Sequence, residues 1–485
     1  MSGKEYDNVI SNIIKTLSGM VFPVLIFVYS SRVLGAESVG KVAFTRAVIS
    51  YFALVASLGI KNYGIREAAR LKDEKKSLRI LYWELLSIAA CATFLAFLLF
   101  GIVYFRIEFL KDYHKLLLVS APTILLAGLN TEWLYQGTER YRVISTIAVV
   151  MQAISIAIML LFVRNDSSVV AYAIVVLISV NGYSLVAQVI CLREYGFPAI
   201  KRIRPRRHLG PVLWLFAYAL SVELYSVLDT TMLGFIKGDF EVGLYTTSMR
   251  VCKMPIELIN SIAIALSPRI ISLIKAKDMK EVSDTVQRNY NVEMMLIIPV
   301  FIGIFLLGED IIVFFLGEEF SGVGSTVRIL SLIIVIIAHS GFVVRQVLIP
   351  FNQEKLILVA TTAAAIINVI ANGVMIPLYG RIGAAIATVL AEVIASAVMT
   401  FRAIKLVSFR GAYRGFYQYI IASVPIFLLN RTLGAIITHT GAIIILTMVF
   451  SVFFYLLLLS LMNNRYIGIV TDLIKVNGRC KKKDE

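Results

Sequence analysis

The sequence predicts an all-α polytopic membrane protein: about 14 transmembrane helices, arranged as two six-helix lobes and a C-terminal helix pair. Three observations predict it. Apolar residues make up 59% of the 485, charged residues only 16%, and mean hydropathy is +0.83. That balance leaves too little polar surface for a soluble chain of this length. Apolar segments of the ~20 residues needed to cross a bilayer recur from Val9 almost to the C-terminus. A pattern of glycines and small residues after the first segment also returns after the seventh.

Each apolar segment is expected to be helical, because hydrocarbon offers backbone N–H and C=O groups no partner. The N-terminal lobe, residues 1–210, carries spans at 9–31, 42–61, 80–104, 115–136, 143–163 and 169–192. The C-terminal lobe, 211–409, carries them at 212–236, 243–272, 290–307, 326–349, 356–376 and 383–401. A terminal pair at 416–430 and 441–462, the first short and containing Pro425, precedes a basic tail in 410–485. The N-terminus lacks a small-residue cleavage site after a short apolar core, so the first span is expected to be retained.

The net charge of +16 raises nucleic acid as a partner, and its distribution argues against one. About 30 of the 47 Lys and Arg fall in alternate loops and the termini, an asymmetry that orients helices. An even span count then puts both termini in the cytoplasm. The charged stretches Gly64–Arg79, Arg193–Gly210 and Lys275–Asn289 become inner loops. Gly308–Gly324, with its apolar run IIVFFLG, is expected to be a re-entrant or interfacial turn on the outer side. Cys91, Cys191, Cys252 and Cys480 are scattered without a CxxC, which suits neither a disulfide framework nor a metal site.

The internal repeat pairs SSRVLGAESVGKVAFTRAV with DTTMLGFIKGDFEVGLYTTSMRV. Leu34-Gly35 matches Leu233-Gly234 and Val39-Gly40 matches Val242-Gly243, with four extra residues in the second copy. Copies of six helices share orientation, which predicts a pseudo-two-fold along the membrane normal and a site between the lobes.

Candidate site residues are the ionisable groups inside spans, since charge at such depth faces a partner or a watery cavity. Asp229 and Arg250 would both sit roughly 10–12 Å below one membrane face, at ~1.5 Å of helical rise per residue. Arg250, Lys253 and Glu257 form one stripe by their spacing of three and four. Lys253–Glu257 and Arg250–Asp229 pairs would answer most of this charge. Arg46, six residues after its repeat glycine, would then supply surplus cation from the other lobe. Guanidinium groups grip phosphate oxygens bidentately, so surplus cations suit an anionic substrate. Lys15 is placed to meet a headgroup from the cytoplasmic side, or to snorkel to the interface. Glu223 and Glu392 fall near mid-span as coupling or countercharge groups, whereas Asp229 and Glu257 read first as countercharges. Glu84, Glu132, Glu293, Arg328 and Arg345 lie near segment ends and are expected to be interfacial. Pro255 should bend its span beside the charged stripe, as a hinge or a static kink.

The parts of an enzyme are missing. The four histidines are far apart, and there is no HExxH, GxSxG, Walker loop or Gly-rich nucleotide fingerprint. No cofactor or metal is expected, and energy is left to a gradient of H+, Na+ or the substrate itself.

Four stretches resemble bacterial polysaccharide repeat-unit flippases of the O-antigen (Wzx) type. They are SRVLGAESVGKVAF, WLYQGTERY (Trp133–Tyr141), DTTMLGFIKGDFEVGLYTTSMR and INVIANGVMIPLYGRIGAAIATVLAE (Ile367–Glu392). These flippases belong to the multidrug/oligosaccharidyl-lipid/polysaccharide (MOP) exporter superfamily, and the resemblance covers about residues 8–405. It implies a transporter of the inner membrane that moves oligosaccharide on undecaprenyl pyrophosphate to the outer leaflet. Its partners would be that lipid-linked glycan, membrane lipids and other polysaccharide-assembly membrane proteins. Arg46, Arg250 and Lys253 are the positions to which pyrophosphate binding would carry over.

Overall fold

A computed structural model describes residues 3–196, 203–265, 267–409, 411, 415–437 and 439–468. Among the described residues every regular element is helical. Chain contacts divide the protein into two compact units, Met1–Gly243 and Leu244–Glu485. The division falls later than the lobe boundary expected at 210/211, because the helix built from the seventh segment packs on helices of the first unit.

The first unit opens with α1, Gly3–Ser57, whose 55 residues would extend roughly 80 Å at ~1.5 Å per residue. It carries both of the first two predicted spans, bent at Gly35, where φ is 76° and ψ 175°. Only glycine adopts that backbone readily. A short α2, Ile60–Arg70, occupies part of the stretch expected to be an inner loop, and α3, Lys75–Arg106, follows. The predicted span 115–136 is broken. It becomes α4, His114–Ser120; α5, Pro122–Gly128; and α6, Glu132–Gly137. The run bends by 44° at Pro122, whose ring cannot continue the preceding helix without loss. The Asn130 carboxamide oxygen accepts from the Glu132 backbone N–H at 2.8 Å and starts α6 afresh. Helices α7, Tyr141–Phe162, α8, Val169–Tyr195, and α9, Arg206–Lys237, complete the unit.

Helix α10, Asp239–Ala265, crosses the division, and α11, Ser267–Lys275, follows it. Then α12, Met279–Leu316, runs 38 residues without interruption. This corrects two expectations. The inner loop Lys275–Asn289 is helical from Met279, and IIVFFLG ends a continuous helix instead of forming a re-entrant turn. Helix α13, Gly324–Val343, passes into a π-helical turn at Val344–Leu348. Helices α14, Glu354–Tyr379, and α15, Arg381–Leu406, form a tight pair. A Cβ at Gly383 would collide with the Met375 carbonyl, and buried Ala384, Ala387, Ala391 and Ala395 continue that small-residue face. Finally α16, Phe416–Ile436, and α17, Thr440–Leu461, pack on each other and on α12, where the Tyr455 hydroxyl donates to the Met295 carbonyl at 2.6 Å.

Ten helices among the described residues are long and apolar enough to cross a membrane, or eleven if the bent run through Pro122 counts as one. The bent α1 counts once among them. Large apolar side chains on α17, among them Phe450, Val452 and Phe453, are exposed. Contiguous surface of this kind is sustained by lipid, not water. This is a multi-pass membrane protein.

Candidate functional site

The predicted site residues distribute over both units. Lys15 lies on α1, but its side chain is outside the described residues. Arg46, on the second limb of α1, is exposed. On α9, Asp229 is 4% exposed and Glu223 half-buried. Both carboxyls act electrostatically on Tyr51 of α1, whose hydroxyl is 3.0 Å from the Thr231 hydroxyl. The first unit therefore gathers Tyr51, Glu223, Asp229 and Thr231 into one polar cluster. In the second unit Arg250 and Lys253 are half-buried and Glu257 exposed on α10, while Glu392 is half-buried on α15.

The repeat proves more telling than the charges. Gly238, which ends α9, has φ 86° and ψ −178°, nearly the conformation of Gly35. Gly35 lies five residues before Gly40, and Gly238 five before Gly243. The register is therefore Gly35 with Gly238, and no insertion is needed, which corrects the pairing with Gly234. The two copies touch reciprocally. A Cβ on Gly40 would strike the Asp239 carbonyl, four residues before Gly243. One on Gly243 would strike the Ala36 carbonyl, four residues before Gly40. Exchange of the same patches in both directions is the mark of a local two-fold, and all four residues belong to the first unit.

Around this contact the ring of Phe44 packs on Phe109, Tyr113 and Phe235 at centroid distances of 6.0, 4.9 and 5.1 Å. Gly234 makes room for Phe44. The Tyr113 hydroxyl donates to the Asp239 carboxylate at 2.7 Å. Burial holds the Asp239 carboxyl above the ordinary carboxylate range, against the opposing effects of the Tyr113 hydroxyl and Lys41. A raised folded-state pKa means the proton stabilises the fold, and that stability is lost as pH rises through it. Asp239→Asn keeps an acceptor for Tyr113 and removes the buried charge. Its thermal midpoint at pH 7 is expected to be no lower than that of the unmodified protein, with the gap closing toward about pH 4. A drop of several degrees on melting would contradict this.

Three carboxylates expected at the interface are buried instead. Glu84, fully buried on α3, accepts from the Arg204 N–H at 2.7 Å and from the Arg207 guanidinium at 2.5 Å, and lies 2.9 Å from His208. His208 in turn meets the Tyr63 hydroxyl at 2.6 Å. This cluster staples the start of α9 to α3 and α2. Glu293 pairs with Arg345 at 3.4 Å, where the π-helical turn carries the guanidinium. Glu132, 4% exposed, pairs with Lys61 at 2.9 Å and accepts from Gln136 at 2.8 Å and Tyr183 at 3.2 Å. The break before α6 leaves Lys61 and Asn130, at the edge of this network, on the wall of a cavity of about 240 Å³ in the first unit. Arg328 is exposed.

Residues 6–274 match the polysaccharide biosynthesis protein family. The chain belongs to that family. An assigned O-antigen transporter of Escherichia coli (strain K12) is 25% identical over 389 residues, covering 79% of this chain and 92% of its own. A flippase assigned to low-salt glycan biosynthesis in Haloferax volcanii is 25% identical over 215 residues, covering 43% of this chain and 45% of its own. Among solved structures, the lipid II flippase MurJ in an inward closed conformation superposes with a TM-score of 0.71 at 17% identity, over 95% of this chain and 99% of that one. An inward-facing multidrug resistance MATE transporter of the MOP superfamily gives 0.61 at 15% identity, over 81% and 98%. The resemblance to polysaccharide flippases is thus borne out in family by the match over residues 6–274 and by the O-antigen transporter relative, and in fold by the likeness to MurJ.

Proposed function

We propose that the protein flips oligosaccharide repeat units carried on undecaprenyl pyrophosphate from the cytoplasmic to the outer leaflet of the plasma membrane. The observation that carries this reading is the family match together with the E. coli O-antigen transporter, 92% of whose length this chain covers. Fourteen spans in two symmetric lobes, cytoplasmic termini and alternating access driven by an H+ or Na+ gradient belong to the same proposal. Arg46, Arg250, Lys253 and Lys15 bind the pyrophosphate headgroup. Asp229, Glu392, Glu223 and Glu257 serve as coupling groups or countercharges, and the burial of Asp229 beside Tyr51 and Thr231 supports its place among them.

The fold likeness to a MATE transporter favours a second reading, a cation-coupled drug or metabolite exporter. Deletion of the gene in its native host separates the two. Loss of surface glycan, with lipid-linked single repeat units retained inside, is expected for the flippase. Unchanged glycan with lowered drug resistance would replace it by the exporter. Single repeat units at the surface would instead point to a polymerase.

A further inference from the structure

The buried pair Glu293–Arg345 of the second unit has no role in the headgroup reading. We propose that Glu293 is the proton-carrying residue of the transport cycle, with Arg345 as the cation that displaces the proton. This rests on the flippase reading and adds to it the coupling ion and the side chain that holds it. Asp229, Glu392, Glu223 and Glu257 then act as countercharges.

The pair is poorly built as a structural bridge. The Glu293 side chain, on α12, is only 4% exposed. A single guanidinium nitrogen, Arg345 Nη2, reaches its Oε1 at 3.4 Å. Among the described residues nothing hydrogen-bonds to Glu293 Oε2 or to Arg345 Nε, although both atoms are buried. A buried ion pair offsets its desolvation only with close geometry and with its remaining lone pairs and protons satisfied. This one has neither, so stability does not account for it. An ionisable group at membrane depth that stability does not explain points to ion passage or proton exchange.

The surroundings favour a proton over other ions. Among the described residues Arg345 is the charged group that acts on Glu293. His339 of α13 is held between the Tyr290 and Thr400 hydroxyls at 2.7 and 2.8 Å. Tyr419 of α16 donates to Asn291, and Tyr455 of α17 to the Met295 carbonyl. Arg269 of α11 pairs with Glu281, and Lys275, Glu318, Glu319, Arg328 and Arg431 are exposed. The guanidinium repels a metal cation and the carboxylate repels an anion. A proton avoids both, because an O–H bond forms at Oε2 as Arg345 leaves and breaks as it returns.

Arg345 sits on an element with two registers. The Ile349 N–H donates to the Val344 carbonyl, five residues back, at 2.9 Å, which makes Val344–Leu348 a π-helical turn. Such turns are frequent at functional sites. A one-residue return to α-helical register turns Arg345 roughly 100° about the axis, away from Glu293. Gly341 leaves the space in which the guanidinium lies, since a Cβ there would come within 2.7 Å of Nη1. The Arg345 side chain is 19% exposed, so protons reach the carboxylate from its side.

The test uses the full chain in nanodiscs, read by infrared difference spectra between about pH 5 and about pH 9. The unmodified protein is expected to show a protonated-carboxyl band that titrates reversibly and is lost in Glu293→Gln. Glu293→Asp should keep such a band. The double variant Glu293→Met/Arg345→Met replaces the pair by unbranched apolar side chains. Replacement of that kind is often neutral or stabilising, so its thermal midpoint and gel-filtration profile should be no worse than those of the unmodified protein. Its surface glycan, in the deletion strain, should nonetheless be lost. A band unchanged by Glu293→Gln overturns the proposal, and so does normal glycan from the folded double variant. Should the double variant not fold, the Glu293→Gln spectrum decides alone. Glycan absent from the deletion strain but restored by the double variant removes the proton carrier alone. Normal glycan in the deletion strain removes the flippase reading alone, and a band lost in Glu293→Gln still assigns the proton to this carboxyl.

Discussion

Replacing Gly40 with valine is expected to abolish surface glycan by preventing the first unit from closing. The smallest added side-chain atom would collide with the Asp239 carbonyl and lie 2.6 Å from the Gly243 amide nitrogen. Both are backbone atoms of a helix start, so no side chain can swing aside. Overpacking of this kind typically costs about 1–3 kcal/mol, and more where backbone must move. Gly243→Val should do equal damage, because its Cβ meets the Ala36 carbonyl across the same two-fold contact. The double substitution should add little further, since either one alone already separates the helices. Gly19 is the control: no atom lies within 4 Å of a Cβ built there, and Gly19→Val should export glycan normally. Fluorescence-detected gel filtration measures the folded fraction beside the glycan assay. A Gly40→Val protein that is monodisperse and fully active would show that this close approach is dispensable.

That contact also marks how far the sequence was legible. Hydropathy found the apolar segments because each must be helical in lipid, a constraint local to about 20 residues. The repeat was visible as paired glycines, yet its register was not. Leu34-Gly35 and Leu233-Gly234 look alike as letters, whereas the backbone equates Gly35 with Gly238 through a shared positive φ. Conformation outranks the neighbouring leucine. The length of α12 was hidden because Lys, Asp and Glu in its first turns look like a loop, although a helix extending out of the membrane keeps them solvated.

Glu84, Glu132 and Glu293 were misjudged for a different reason. Their position near segment ends fits a carboxylate reaching for headgroups. What buries them is a cation far along the chain: Arg207 lies 123 residues from Glu84, and Arg345 lies 52 from Glu293. No period or local spacing reports such a partner. For Glu132 a signal did exist, since it directly precedes the WLYQGTERY stretch that carries the family resemblance. A carboxylate beside such a motif, in a span interrupted by Pro122 and Asn130, reads better as a buried partner for a distant cation, here Lys61, than as a snorkelling end.

The second large effect expected is on the cations. Arg46→Ala with Arg250→Ala should leave the protein folded and inserted while surface glycan disappears. Arg46 is exposed and Arg250 only half-buried, so neither removal opens a core cavity, and the folded fraction is measured beside export to separate any loss of stability from loss of headgroup binding. Transport should respond far more. A charge-assisted hydrogen bond is worth about 1.5–3 kcal/mol, so each guanidinium lost should weaken headgroup binding roughly 10- to 100-fold. Single substitutions should therefore leave partial export that the double removes. Arg250→Lys discriminates further. Lysine keeps the charge but not the planar fork, so a bidentate grip on phosphate predicts partial rescue, whereas a field effect of charge alone predicts full rescue. Lipid-linked repeat units counted on each leaflet, beside the folded fraction, measure all of these variants. Wild-type surface polysaccharide in the folded double variant would sink the assignment of both arginines to the pyrophosphate. The flippase reading itself would stand, because it rests on the family and not on these two side chains.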